Sequence, residues 1–225
     1  MTAYHLIVHL AAEIGCRSII RLFTDESTRE FGRDKEGRSL LHYLVMWQPG
    51  SLIEDFIISK RPIVDVLDKA RRTPLSYAAL YNNDEALEVL HRHGAKIDML
   101  DSNGSTPLHQ ALKGSARSAQ LLIDWGAKLT TMDGFHQNCL QLASRSQRSD
   151  TIQLILSYVI EGNVQAAYMI RNRDVHGKTA LHRLCSAHDF SRDYTSKPAV
   201  FTLVRKLIKY GANIDAQVCI FPEEF

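Results

Sequence analysis

A short phrase returns along this chain at nearly constant spacing, and that recurrence restricts the fold more than any other feature. Its clearest copy is Thr106-Pro107-Leu108-His109-Gln110-Ala111, with Thr73-Pro74-Leu75-Ser76-Tyr77-Ala78-Ala79 thirty-three residues earlier. Weaker copies are Ser39-Leu40-Leu41-His42, Asn138-Cys139-Leu140-Gln141-Leu142-Ala143 and Thr179-Ala180-Leu181-His182. The fourth positions (42, 76, 109, 141, 182) are spaced 34, 33, 32 and 41, and His9-Leu10-Ala11-Ala12 supplies a degenerate copy 33 residues before His42. A period of this size marks an array of small stacked units.

Each unit has a physical reading. Thr73 and Thr106 can cap a helix through their hydroxyls, and Pro74 and Pro107 suit the first helical turn, where a missing N–H costs nothing. A second helix with an apolar stripe follows: Val200, Leu203, Val204, Leu207 and Ile208 in the last unit, and Ile152, Ile155, Leu156, Val159 and Ile160 in the one before, fall at i, i+3, i+4, i+7, i+8. Gly94, Gly126 and Gly211 stand where those helices must stop, because glycine enters the left-handed region without a Cβ penalty. Asp34, Asp68, Asp101, Asp133 and Asp174 each precede the Thr-equivalent position by five residues, in segments of turn composition such as Asp101-Ser102-Asn103-Gly104. The unit reads turn, helix, loop, helix. A single unit cannot bury its stripe, so stability comes from stacking on neighbours.

The Thr-Pro-Leu-His phrase and its 33-residue period resemble the ankyrin repeat. The resemblance covers roughly residues 3–216, and the second halves agree with it, as in Leu90-His91-Arg92-His93-Gly94-Ala95, Leu122-Ile123-Asp124-Trp125-Gly126-Ala127 and Leu207-Ile208-Lys209-Tyr210-Gly211-Ala212. It implies an all-α solenoid of stacked helix-turn-helix units joined by β-turn or hairpin loops. The expected organisation is a single domain over 1–216, in repeats of roughly 1–33, 34–67, 68–100, 101–132, 133–173 and 174–216, followed by a short tail, 217–225. Helix 200–210 is not strongly polar, so either the chain is a segment of a longer array or the tail folds back as a cap. Three places depart from the pattern. Lys60-Arg61-Pro62 replaces Gly-Ala in repeat two, Glu161–Tyr168 intervenes in repeat five, and Ala187–Lys197 is an extended loop in repeat six.

Chemistry is sparse. There is no glycine-rich phosphate loop, no HExxH and no CxxC pair, so no cofactor and no metal site are expected. The resemblance gives His9, His42, His109 and His182 a framework role, hydrogen-bonding within the turn and helix. His182 and Cys185, three apart on one helix, could meet as a nucleophile and base. Cys185, however, replaces a small core residue and is expected to pack as a hydrophobe. An enzyme is not expected. Four scattered cysteines do not form a disulfide framework, and no apolar run approaches the length of a membrane span. A cytoplasmic or nuclear protein without membrane association is the expectation.

The net charge of +2 gives no global reason to expect nucleic-acid binding. The family's binding surface is made by the turn tips and the exposed side of each first helix. Carried over by register, it predicts Lys35, Arg38 and Trp47 in repeat two, Lys69, Arg72 and Tyr81 in repeat three, Lys113 in repeat four, Phe135 and Arg145 in repeat five, and Lys178 in repeat six. Met46, Ser105 and Gln137 fall on the same positions. The expected function is a scaffold that binds an acidic partner protein on its concave face; the alternative is a nucleic acid or other polyanion held by the basic strip.

Overall fold

The computed structural model describes residues 33–146, 148–161, 165–187 and 198–213. The expected first repeat (1–33, save its last residue) and the tail (217–225) lie outside them. Among the described residues the chain is helical, with no strand. It divides into two compact units, residues 1–127 and 128–225.

In the first unit three repeats are laid down as helix pairs: α1 (Leu40–Trp47) with α2 (Gly50–Lys60), α3 (Pro74–Leu80) with α4 (Asp84–Arg92), and α5 (Pro107–Ala111) with α6 (Ala116–Asp124). First helices pack on first helices and second on second, so α1, α3 and α5 form one layer and α2, α4 and α6 the other. The core between them is made of the expected signature leucines and their small neighbours: Leu41, Leu75, Ala78, Ala79, Leu108 and Ala111 are all 1% exposed or less. Small residues at these places let the short first helices approach closely.

The caps follow the sequence reading. The Thr73 hydroxyl accepts from the Ser76 N–H at 3.2 Å. Thr106 with His109, Ser39 with His42 and Asn138 with Gln141 form reciprocal capping boxes, each satisfying two donors that a helix start would leave unpaired. Gly94 ends α4 at φ +82°, where the Ala95 N–H reaches back to the Leu90 carbonyl and the Gly94 N–H to that of His91. Repeat two ends differently: Arg61, at φ 46°, takes the left-handed position itself, immediately before Pro62. The helix is therefore terminated by a strained arginine as well as by the proline that follows.

The second unit holds α7 (Cys139–Arg145), α8 (Ser149–Glu161), α9 (Gln165–Arg171), α10 (Ala180–Ala187) and α11 (Pro198–Lys209). Helices α7 and α10 pack as first helices do, and α8 packs against α11. The segment that intervenes in repeat five is itself helical from Gln165, and buries Met169 and Ile170. Most of the long loop in repeat six, residues 188–197, lies outside the described residues. Leu181 is 2% exposed and Cys185 is buried in the core.

Candidate functional site

The turns that carry the predicted basic residues are organised by their aspartates. In repeat three, Asp68 Oδ1 accepts the Arg72 backbone N–H at 2.8 Å, while Oδ2 accepts the Tyr77 hydroxyl at 2.8 Å and the Arg72 guanidinium at 2.8 and 2.9 Å. Repeat two repeats the arrangement: Asp34 takes the backbone N–H groups of Glu36 and Arg38, the Arg38 Nε at 2.6 Å and the Tyr43 hydroxyl at 2.7 Å. Each guanidinium also lies over its tyrosine ring, 4.6 Å for Arg72 over Tyr77 and 4.8 Å for Arg38 over Tyr43. Burial alone would raise the Asp68 pKa, but the Arg72 N–H, the Tyr77 hydroxyl and the Arg72 guanidinium outweigh it and hold it below the usual carboxylate range. Asp34 is lowered by the same balance, with Tyr43 the strongest opposing partner.

The framework histidine joins one repeat to the next. His42 Nδ1 lies 3.1 Å from the Ser39 N–H, which makes Nδ1 the acceptor and leaves the proton on Nε2, 3.1 Å from the Arg72 carbonyl. His42 is fully buried, and burial pushes its pKa down to about 4 against the opposing bond to Arg72. Gln141 does the same work in the second unit, donating Nε2 to the carbonyls of Asn172 and Lys178 at 3.0 and 2.8 Å.

The predicted site residues fall into distinct environments. Lys35 and Lys69 are exposed at adjacent turn tips, where the Lys69 N–H donates to the Glu36 carbonyl at 2.7 Å, and neither makes an ion pair among the described residues. Arg38 and Arg72 are half-buried in their aspartate clamps. Exposed Lys113 reaches the Gln110 side chain at 2.9 Å. Trp47 and Tyr81 come together, 51% and 38% exposed, with ring centroids 5.0 Å apart edge to face. Tyr81 also stacks at 6.4 Å on Tyr77, the ring under Arg72, so the exposed aromatic pair is continuous with the clamp. In the second unit Phe135 is 54% exposed at a turn tip whose carbonyl accepts the Val175 N–H, Arg145 is exposed and Lys178 half-exposed. Register misplaces three neighbours. Met46, Ser105 and Gln137 are buried, Gln137 because its amide spans to Asp174 at 3.2 Å.

Sequence reasoning missed the aspartate clamps. Their signal was present: an Arg four residues and a Tyr nine residues after Asp34 and again after Asp68. Among the described residues no group of His, Cys, Asp and Glu could hold a metal, and no helix is long and apolar enough to cross a membrane.

Paired helices, capped alike and stacked first on first, define a helical-repeat protein. A family model for ankyrin repeats matches residues 48–133 with three copies, so this part of the chain is built of ankyrin repeats. The chain is 29% identical over 159 residues to inversin of Canis lupus familiaris, covering 70% of this chain and 13% of that protein. It is 27% identical over 111 residues to a Caenorhabditis elegans homolog of transient receptor potential cation channel subfamily A member 1, covering 48% and 9%. Palmitoyltransferase AKR1 of Lachancea kluyveri is 28% identical over 140 residues, covering 60% and 19%. The chain thus spans only a small fraction of the length of these relatives. Ankyrin repeats are generally modules of protein–protein interaction.

Proposed function

We propose that the protein is a non-catalytic scaffold, cytoplasmic or nuclear, that binds a partner protein through the turn tips and first helices of its repeats. The observation that carries this reading is the exposed Trp47–Tyr81 pair, together with exposed tip lysines that make no ion pair among the described residues. Large aromatics supply contact area at low entropic cost and dominate binding energy. Lys35, Lys69 and Lys113 supply the field that steers an acidic partner. Arg38 and Arg72 contribute by holding Tyr43 and Tyr77, since their charge is already matched by Asp34 and Asp68. Phe135, Arg145 and Lys178 are the corresponding contacts of the second unit.

The test is binding of a native partner, captured by crosslinking and then produced pure, to Trp47→Ala/Tyr81→Ala and to Lys35→Glu/Lys69→Glu/Lys113→Glu. Each should weaken affinity at least about tenfold, roughly 1.4 kcal/mol, with the lysine variant slowing association most at low salt. Parental affinity in both variants would overturn the reading.

A further inference from the structure

The helix that interrupts repeat five creates a feature that the repeat pattern does not require. Tyr168, Arg171, Asn172 and Arg173 line an open depression of about 560 Å³ within the second unit. Met169 and Ile170 are buried, which leaves Tyr168, 56% exposed, and Arg171 on the outer side of α9. Asn172 is anchored between the two arginines, its Nδ2 donating to the His136 carbonyl and to Gln141 Oε1 at 3.1 Å each.

The arginines differ from those of the turns in what holds them. Arg171 Nε donates to the Gly211 carbonyl at 3.0 Å, and Arg173 Nη1 to the Gly177 carbonyl at 2.9 Å. Both acceptors are neutral, and among the described residues neither guanidinium meets a carboxylate. Gly211 makes room for this: at φ +96° a Cβ there would sit 2.9 Å from Arg171 Nη2. Each fork is thus oriented by one bond while its remaining N–H groups and its charge stay available. Asp174, the nearest acid in sequence, is consumed by Arg183, Gln137 and the turn N–H groups. Among the described residues between 165 and 213, seven Lys and Arg stand against one acid, Asp174. The local field is felt by His182, whose pKa is lowered by burial and then by Arg173 and Lys178.

We propose that this depression binds a phosphate monoester, with the Arg171 and Arg173 forks sharing its terminal oxygens and the Tyr168 ring lying against its carrier. Two preoriented guanidiniums offer more donors and charge than one carboxylate can use, whereas a monoester dianion brings three oxygens and a charge near −2. An open depression beside an exposed ring suits a phosphorylated side chain projecting from another protein. The site is built wholly from residues of the second unit and does not rest on the partner-binding residues of the first.

The test is titration of the protein with phenyl phosphate and benzoate at low salt, followed by NMR. Phenyl phosphate should bind at least about tenfold more tightly than benzoate. Its affinity should fall as pH drops below about 6, where the monoester gains a proton. Arg173→Gln should weaken it about tenfold with an unchanged melt, and Arg171→Lys/Arg173→Lys, which keeps the charge but loses the forks, should weaken it too. A phosphotyrosine peptide should bind more tightly than inositol trisphosphate; the reverse order would assign a phosphorylated headgroup and overturn the side-chain assignment. Equal binding of benzoate, no binding of phenyl phosphate, or parental affinity in Arg173→Gln would overturn the proposal. So would a single-stranded oligonucleotide that binds more tightly than phenyl phosphate without pH dependence, since its diesters do not titrate there.

Discussion

The turns of repeats two and three and the turn of repeat four solve one mechanical problem with different chemistry. In all three, one oxygen of the aspartate gathers backbone N–H groups of the turn: Glu36 and Arg38 on Asp34, Arg72 on Asp68, Asn103 and Ser105 on Asp101. The other oxygen is where they part. Asp34 and Asp68 use it for a guanidinium and a tyrosine hydroxyl, whereas Asp101 takes only the Gln110 amide, at 3.2 Å. One half of the carboxylate thus belongs to the scaffold and the other half is variable. Where the variable half recruits an arginine, that arginine ceases to be a free surface charge and becomes a support for the aromatic beneath it.

The comparison assumes that the repeats share a core and differ at their turns, and the largest expected effects test that assumption. Leu75 and Leu108 occupy equivalent buried positions at 1% and 0% exposure. Replacing either by Ala should cost roughly 2–5 kcal/mol, through lost transfer energy and the cavity left behind. Denaturant melts should show the two costs within about 1 kcal/mol of each other. A larger gap would place the difference between the repeats in the core and break the comparison.

The second test is acid unfolding. The pKa of His42 is about 4 in the fold, against about 6.5 in an unfolded chain. Between these values the unfolded state binds the proton and the folded state does not, so stability rises with pH across the window. It should be complete above about pH 6.5 and fall by about 3 kcal/mol as pH drops toward 4. His42→Gln should flatten that slope, because Gln141 shows that an amide at this position can cap the helix, accepting from the Asn138 N–H, and reach the following turn. An unaltered slope in His42→Gln would assign the acid sensitivity to other groups.

A smaller effect separates the turns directly. Asp68→Asn keeps the shape but removes the negative charge that holds Arg72, and should cost about 2 kcal/mol at neutral pH. Asp101→Asn, with no arginine on it, should cost about 1 kcal/mol. Asp68 contributes its stability above the unfolded carboxylate range and loses it as pH falls below about 4, so the gap between the two variants should narrow in acid. A gap that persists at pH 3 would mean that Arg72 is not the reason for it.

Much of the fold was legible because helix caps, glycine stops and signature leucines act locally or by period. Thr106, Gly94 and Leu108 each do in the structure what their residue type and register dictate. Helix α9 was not legible, since the segment lies outside the repeat and is held by tertiary contacts such as the buried Met169–Ile170 pair and the bond from Asn138 Nδ2 to the Met169 carbonyl. Of the candidate binding residues, the exposure of Trp47, Tyr81 and Phe135 followed from register. The fate of Arg38 and Arg72 did not, because it depends on which carboxylate oxygen remains after the turn has taken its share. Register placed the aromatics at the surface, though not Met46, Ser105 or Gln137, and it does not tell whether a charge is already spent.

That last distinction yields the smallest expected change in stability. Lys69 and Arg72 lie three residues apart in one turn, one exposed without an ion pair and the other clamped by Asp68. Lys69→Glu should leave the melt within about 0.5 kcal/mol of the parent, as exposed substitutions away from structural partners do. On the proposed partner-binding reading it should nevertheless slow association with an acidic partner, most strongly at low salt, where exposed charges are least screened. Arg72→Glu sets two carboxylates side by side and uncovers the Tyr77 ring, so its first effect should be on the melt. If both substitutions slow association equally while both melts stay parental, the Asp68 clamp does not neutralise Arg72, and the turns of repeats two and three are as electropositive as their sequence alone implies.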